Sequence, residues 1–187
     1  MSAVPWPDPP LRSDQVLLRR WGTDDLPVLV ALGQDLTVAR WFPVIPYPYT
    51  ERDAADWLHS EEMARKAGKD ISFVMVHAGS EEVLGGISLG NIDGLLRTAS
   101  SGYWLGADAR GHGHMAPTVR LVAAWAFDAL GLARLEGTVD PENLASQRVA
   151  ERCGFRREGC LRSSTIIRHT GERRDALVYG LLPDELT

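Results

Sequence analysis

Between Ile71 and Leu105 the chain spells three strand-like runs in succession, with no room between them for a crossover helix. Ile71–His77 (ISFVMVH) and residues 83–89 (VLGGISL) are joined by a turn through Gly79 and Ser80, and Thr98–Leu105 (TASSGYWL) follows. Parallel neighbours need a connection of a dozen or more residues, so this stretch reads as an antiparallel meander. The Gly85-Gly86 pair predicts a bulge in its second strand.

The period differs on either side. Residues 15–20 (QVLLRR) read as a first strand, and Thr23 offers a cap to a helix with Leu26, Leu29, Val30 and Gly33 on one face. Residues 41–49 (WFPVIPYPY) are aromatic and proline-rich and read as loop. A second helix opens at Thr50 and ends at Gly68, with Ala54, Leu58 and Met63 facing inward. Beyond the meander, Met115, Val119, Val122, Trp125, Ala126 and Leu130 recur at helical spacing until Gly131. Arg134–Val139 alternates as a strand, residues 143–153 form a short helix, and residues 155–161 and 173–182 complete the sheet. The order is a meander followed by a crossover region, a mixed α/β layout. Residues 1–12, with prolines at 5, 7, 9 and 10, read as a flexible arm, and 13–187 as a single domain.

Bulk properties exclude several classes. A net charge of -5 gives no electrostatic support to direct nucleic-acid binding. The arginines between Arg148 and Arg174 read first as a solvated rim. No apolar run approaches a membrane span. Cys153 and Cys160 have no metal-ligand spacing, so no metal is expected; Cys153 lies on an apolar helical stripe and reads as a buried thiol. With no leader visible, the cytoplasm is the default compartment, where both thiols stay reduced.

The most informative loop is ARGHGHMAPTVRL, residues 109–121. Glycines lack Cβ, so successive N–H groups at Gly111 and Gly113 can converge on one anion. The helix starting near Met115 adds its positive end, and Pro117 in the first turn costs little. Arg110 can add a charge-assisted contact; His112 and His114 can do so only when protonated. As spelled, Gly111, Gly113 and Ala116 also satisfy a dinucleotide fingerprint, with Glu136 as the ribose-binding acid. Half the chain precedes that loop, which is the wrong context for a NAD-type domain.

A second stretch, NLASQRVAERCGFRREG from Asn143 to Gly159, is more specific. Ser146, Val149, Ala150 and Cys153 fall at i, i+3, i+4 and i+7, so a hydroxyl shares the inward face with apolar residues and needs a partner there. The stretch resembles the Asn-x-x-Ser…Gly-Phe-x-x-Glu-Gly segment of GNAT acyltransferases, in the branch of the ribosomal-protein N-terminal acetyltransferases. Gly102-Tyr103-Trp104-Leu105 is similar to the strand that precedes the coenzyme loop in that branch. Arg110, Gly111 and Gly113 match the loop itself, with Met115 where a small residue is usual. The aromatic-proline loop and Thr50-to-Leu58 resemble its second helix.

The resemblance, covering about residues 15–182, implies an α/β GNAT fold: a central mixed, mostly antiparallel twisted sheet with helices on both faces. It implies an N-acyltransferase moving an acetyl or related acyl group from acyl-CoA (acetyl-CoA, or an acid-tailed donor such as succinyl-CoA met by Arg156, Arg157 or Arg162) to a primary amine. The acceptor would be a protein N-terminus or a small molecule. Trp104, Leu105 and Gly106 would offer backbone groups to the pantetheine; Arg110, Gly111, His112, Gly113, His114, Met115 and Ala116 would hold the diphosphate. Asn143 would touch the pantetheine, or cap its helix, or both. Ser146 would sit near the sulfur as the catalytic hydroxyl, and Trp41, Phe42, Tyr47 and Tyr49 would line the acceptor side. Relatives of this branch often pair, so a homodimer fits. The expected carboxylates are missing: Thr165 and Ser100-Ser101 stand where relatives carry glutamate. His77, Glu136, His169 and Asp175 are left as candidate bases by chemistry alone, and the gap leaves open a non-catalytic coenzyme A-binding regulatory module.

Overall fold

The computed structural model describes residues 2–42, 45–168 and 170–187. Among these, seven strands make one sheet: β1 (Val16–Arg19), β2 (Ile71–His77), β3 (Val83–Asp93), β4 (Thr98–Leu105), β5 (Arg134–Val139), β6 (Arg156–Ile166) and β7 (Arg173–Leu181). They lie in the order β1-β2-β3-β4-β5-β7-β6. The β4–β5 pair is parallel; the other five are antiparallel. The helices are α1 (Leu26–Gly33), α2 (Leu36–Trp41), α3 (Glu51–Lys66), α4 (Met115–Asp128) and α5 (Leu144–Arg152).

The meander β2–β3–β4 stands as read from the sequence. Its bulge falls beside the glycine pair: Met75 opposes Gly85 while Val76 opposes Val83, leaving Leu84 as the extra residue. Gly86 keeps space for a stacked pair, since a Cβ there would lie 3.0 Å from the Trp104 indole nitrogen and 3.1 Å from the Trp21 ring.

The sheet is covered on both faces. On one, α4 and α5 bury Met115, Val119, Val122 and Ala150 against Phe73, Ile87, Leu135 and Tyr179. On the other, α1 and α3 pack Leu29 and Ala54 with Tyr49, Trp21, Trp57 and Trp104. The alternation of β4 sends Tyr103 to the first face and Trp104 to the second. Each fully buried aliphatic side chain contributes roughly 1.5–3 kcal/mol. Buried Cys153 donates from Sγ to the Ala116 carbonyl at 3.4 Å, tying α5 to α4.

Four local expectations need correction. Residues 36–41 are helical, so Trp41 ends α2 rather than opening a loop; the Asp35 carboxylate accepts the Thr37 N–H at 2.8 Å and starts that turn. Pro43 and Val44 lie outside the described residues. Thr23 does not cap α1: Asp25 does the local work, accepting from Gly22 N–H at 2.9 Å and from both terminal nitrogens of Arg19 at 2.8 Å. Met63 is 53% exposed, not inward.

The fourth concerns the opening segment, which is packed at Val4 and Trp6 rather than free. Val4 exchanges bonds with Arg65, backbone N–H to carbonyl at 3.0 Å and guanidinium to carbonyl at 2.8 Å. Trp6 meets Phe73 edge-on at 5.4 Å, with Arg20 and Arg65 over its ring. Two apolar side chains on either side of Pro5 found a surface to pack on.

Gly154 joins α5 to β6 at φ +93°, and a Cβ there would overlap the Glu185 carbonyl oxygen. Gly154→Ala is therefore expected to cost roughly 3 kcal/mol, through left-handed strain and overpacking against backbone. A lowered urea midpoint with unchanged slope checks it.

Candidate active site

The sheet opens at its parallel pair. β4 and β5 are in register only from Thr98 to Ser100 and Arg134 to Glu136. β4 runs on to Leu105 and β5 to Val139 with no further pairing between them. A cavity of about 520 Å³ occupies this wedge, walled by Gly102, Tyr103, Thr138, Val139, Asn143 and Ser146 among others. A smaller cavity of about 230 Å³ adjoins it, walled by Trp41, Phe42, Trp104, Leu105, Arg110, Met115, Asn143 and Ser146.

Ser146 reaches both cavities because α5 begins at the end of the wedge. The Asn143 side chain caps the helix, accepting the Ser146 N–H at 3.1 Å. Ser146 Oγ donates to Tyr103 Oη at 3.0 Å, and Tyr103 Oη donates to the Ser146 carbonyl at 3.2 Å. Each hydroxyl spends its single proton on the other residue. Burial pushes the Tyr103 phenol up to about 12, so it stays protonated. The partner required for a hydroxyl on the apolar face of α5 is thus Tyr103, which the sequence offered only as a motif marker.

The glycine loop follows β4. Gly111 and Gly113 have φ of +82° and +84°, and the position of a Cβ on either faces open space. No side chain caps α4, whose first turn begins at Met115. Its leading N–H groups lack intrahelical partners and suit an anion. Arg110 is committed elsewhere: it donates to the Leu105 carbonyl at 3.1 and 2.9 Å and to the Asp35 carboxylate at 2.5 Å. It fastens the loop to β4 and α2, so its expected role toward a diphosphate is not the one this geometry displays. Burial raises the Asp35 carboxyl, but the Thr37 N–H and Arg110 outweigh that and hold it low. Burial, with His112 and His77 nearby, lowers the pKa of His114, which favours the uncharged ring. The loop's capacity for an anion therefore rests on backbone.

The remaining candidates scatter. Gly106 gives its N–H to the Leu84 carbonyl at 2.9 Å, and Gly106, His112 and Ala116 lie outside the cavity walls. Phe42 borders the two cavities above and a third, of about 410 Å³, on the α1–α3 face; Tyr49 lines this third cavity, and Tyr47 is 40% exposed outside the walls. His77 Nδ1 accepts the N–H groups of Gly79 and Ser80 in the β2–β3 turn. Asp175 accepts from the Ser163 N–H. Glu136 stays at the rim of the wedge, and His169 lies outside the described residues. Arg156 is paired with Glu185 at 2.9 Å, while Arg157 and Arg162 are exposed on β6. Among the described residues no group of three His, Cys, Asp or Glu could hold a metal, and no helix is long and apolar enough to cross a membrane.

A carboxylate overlooked in the sequence lines the 410 Å³ cavity: Glu61 on α3, with Trp57, Trp104, Asp53 and Asp56. Its Oε2 is buried and has no hydrogen-bond partner. Burial, then the charge of Asp70, push its carboxyl up to about 7. The signal was present, since Ala54, Leu58 and Glu61 fall at i, i+4 and i+7.

The sequence pattern of the family described as the acetyltransferase (GNAT) domain matches residues 15–156. Among curated proteins the chain is 38% identical over 118 residues to "Probable N-acetyltransferase YjcK" of Bacillus subtilis (strain 168), a match spanning 63% of this chain and 65%, just under two thirds, of that protein. It is 26% identical to "Uncharacterized N-acetyltransferase p20" of Bacillus licheniformis over 94% of this chain and 97% of the other. Among solved structures, Mycobacterium smegmatis RimJ in complex with CoA-disulfide superposes with a TM-score of 0.82 at 27% identity, covering 91% of this chain and 83% of that one.

Tyr103→Phe deprives Ser146 Oγ of its acceptor and the Ser146 carbonyl of a donor. For these half-buried groups the expected cost is about 1 kcal/mol, a fall in Tm of roughly 2–4 °C by calorimetry.

Proposed function

The chain belongs to the GNAT acetyltransferase family, and from that premise we propose that it transfers an acetyl group from acetyl-CoA to a primary amine in a ternary complex. One observation carries this reading. An unpaired strand edge and a reciprocal pair of hydroxyls open onto the wedge between β4 and β5, and Arg110 and Met115, which flank the loop of anion-ready amides, border the smaller cavity that adjoins it. Bound acyl-coenzyme A supplies the activated carbonyl; the protein supplies binding, orientation and hydrogen bonds.

We assign the diphosphate to the amides from Gly111 to Ala116 and the first turn of α4. The β4 edge at Trp104 and Leu105 would hold the pantetheine as an added strand would be held. A backbone N–H near Leu105 is the assigned donor to the carbonyl oxygen as it becomes negative. Asn143 keeps Ser146 at the mouth of the wedge, and Ser146 with Tyr103 faces the departing sulfur. A phenol near 12 is far above an ordinary thiol at about 8.5. Both protons are committed within the pair, so the Ser146 hydroxyl would have to turn from Tyr103 to the sulfur, supporting the thiolate by a hydrogen bond more than by full proton transfer.

The acceptor is an amine on a protein N-terminus or a small molecule, and a succinyl donor would have to be met by exposed Arg157 or Arg162. Two free cysteines fit a reducing cytoplasm, and pairing of two chains is compatible with this reading.

The deciding experiment incubates the protein with acetyl-CoA and three amines (a trialanine peptide, spermidine and benzylamine) and follows release of free thiol. Thiol release above the amine-free rate is expected with at least one; silence beside tight calorimetric binding would instead mark a coenzyme-binding module. Gly113→Asp is expected to weaken coenzyme A binding at least about tenfold, since a carboxylate beside the diphosphate repels it. Ser146→Ala is expected to lower kcat about 10–100-fold with a smaller change in coenzyme Kd. Parallel kinetics and calorimetry separate the two effects.

A further inference from the structure

The walls of the 410 Å³ cavity are mostly apolar and aromatic, yet three carboxylates border it. Two have partners: Asp53 is held by Thr50 and faced by Arg168 and Arg52, and Asp56 pairs with Arg52 at 3.7 Å. Glu61 differs. Its neighbour Glu62 takes up Arg65 and Lys66, while the inner oxygen of Glu61 is buried with no partner. A buried carboxylate oxygen without a donor is costly, and such a group calls for a partner or a task.

The cavity meets the wedge through shared walls. Gly102 and Phe42 border both the 410 and the 520 Å³ spaces, and Trp104 borders the 410 and the 230 Å³ spaces. Gly102 lies in β4 beyond its last pairing with β5, so the wall shared by the two spaces is formed there by backbone without a side chain. An amine entering from the α1–α3 face would thus approach the wedge from the side opposite α5. Trp57 and Trp104 line this approach, together with the carboxylates Asp53 and Asp56 and the guanidinium of Arg168.

We propose that Glu61 is the proton acceptor for the acceptor amine, which enters as an ammonium ion through the 410 Å³ cavity. This rests on the acyl-transfer reading above and names the base that reading lacked. The amine binds as R–NH3+ and passes one proton to the Glu61 carboxylate. The freed lone pair forms the N–C bond at the thioester carbonyl and the C–S bond breaks. The second amine proton ends on the departing thiolate, giving the amide and free thiol. Glu61 then returns its proton to solvent through the open cavity. Burial and the Asp70 charge give Glu61 an affinity for protons suited to that cycle near neutrality. Glu61 also borders a 40 Å³ space with Trp6 and Trp21, whose indole N–H groups are buried without partners.

The test is Glu61→Gln, which keeps shape and removes the titration. Because burial already favours a neutral side chain, the variant is expected to melt no lower than wild type at pH 8. In wild type, kcat/KM for whichever of trialanine, spermidine or benzylamine is acetylated should rise through an apparent pKa of about 7. In the variant that inflection should vanish and the rate fall about 100-fold, with coenzyme A affinity by calorimetry unchanged. Independently of turnover, difference infrared titration should show a carboxyl losing its proton near 7 in wild type and not in the variant. A titration confined to 4–5, or an unaltered profile in Glu61→Gln, overturns the assignment while leaving acyl transfer standing. Failure of wild type to bind coenzyme A would instead sink the acyl-transfer reading itself.

Discussion

Everything functional here depends on a parallel pairing that lasts three residues. Parallel strands joined by a helix normally stay paired along their length, since each unpaired N–H and C=O costs free energy when buried. β4 and β5 part after Ser100 and Glu136. Two further constraints are consistent with the parting. β5 is held from its other side by β7 over five residue pairs, Leu135–Val139 against Leu177–Leu181. β4 is held by β3 up to Leu105, through a bulged strand whose twist is raised locally. Strands gripped by different neighbours diverge, and the separation exposes backbone that a ligand can satisfy. α5 then starts at the open end, so its capped first turn puts a hydroxyl where the strands part.

The anchoring of the site is electrostatic at one end and hydroxyl-based at the other. Arg110 binds Asp35 and the Leu105 carbonyl, so it ties α2, the end of β4 and the glycine loop together. The pair is partly buried, which makes it stronger than a surface bridge and costlier to break from one side. At the far end, Ser146 and Tyr103 exchange hydrogen bonds across α5 and β4. A ligand arriving between these anchors meets a frame already assembled, and little ordering cost is left to binding.

Most of the frame was legible because it is written in local periods. The meander, the bulge at the glycine pair, the long amphipathic α4 and the Asn143 cap each depend on residues within about one turn or one hairpin of each other. What escaped depends on residues far apart. Asp35 and Arg110 are 75 positions apart, and Tyr103 and Ser146 are 43 apart. No period reveals such pairs, so Arg110 looked free for a phosphate and Tyr103 looked like a motif letter. α2 was hidden by the aromatic and proline residues that follow it. The opening segment was misread because its prolines outweighed Val4 and Trp6, two apolar residues with a groove to fill.

Glu61 is the instructive miss, because its spacing was legible while its residue type points away from an inward position. The stripe Ala54, Leu58, Glu61 is regular, but a glutamate does not read as an inward residue, and the inward face was read as Ala54, Leu58 and Met63. The structure reverses that preference: Met63 is out and the carboxylate is in. A fold does not gain stability this way. A carboxyl whose folded pKa lies above its unfolded value stabilises nothing extra above neutrality; the stability present below about 4.5 is lost as pH rises through about 7. Glutamine or methionine at this position would serve the helix better. Violations of local consistency tend to fall at functional sites, where a strained or buried group does chemistry that a contented one cannot. A base must hold a proton weakly enough to lose it and strongly enough to take it from an ammonium, and burial beside an aromatic cavity brings a carboxylate to that condition.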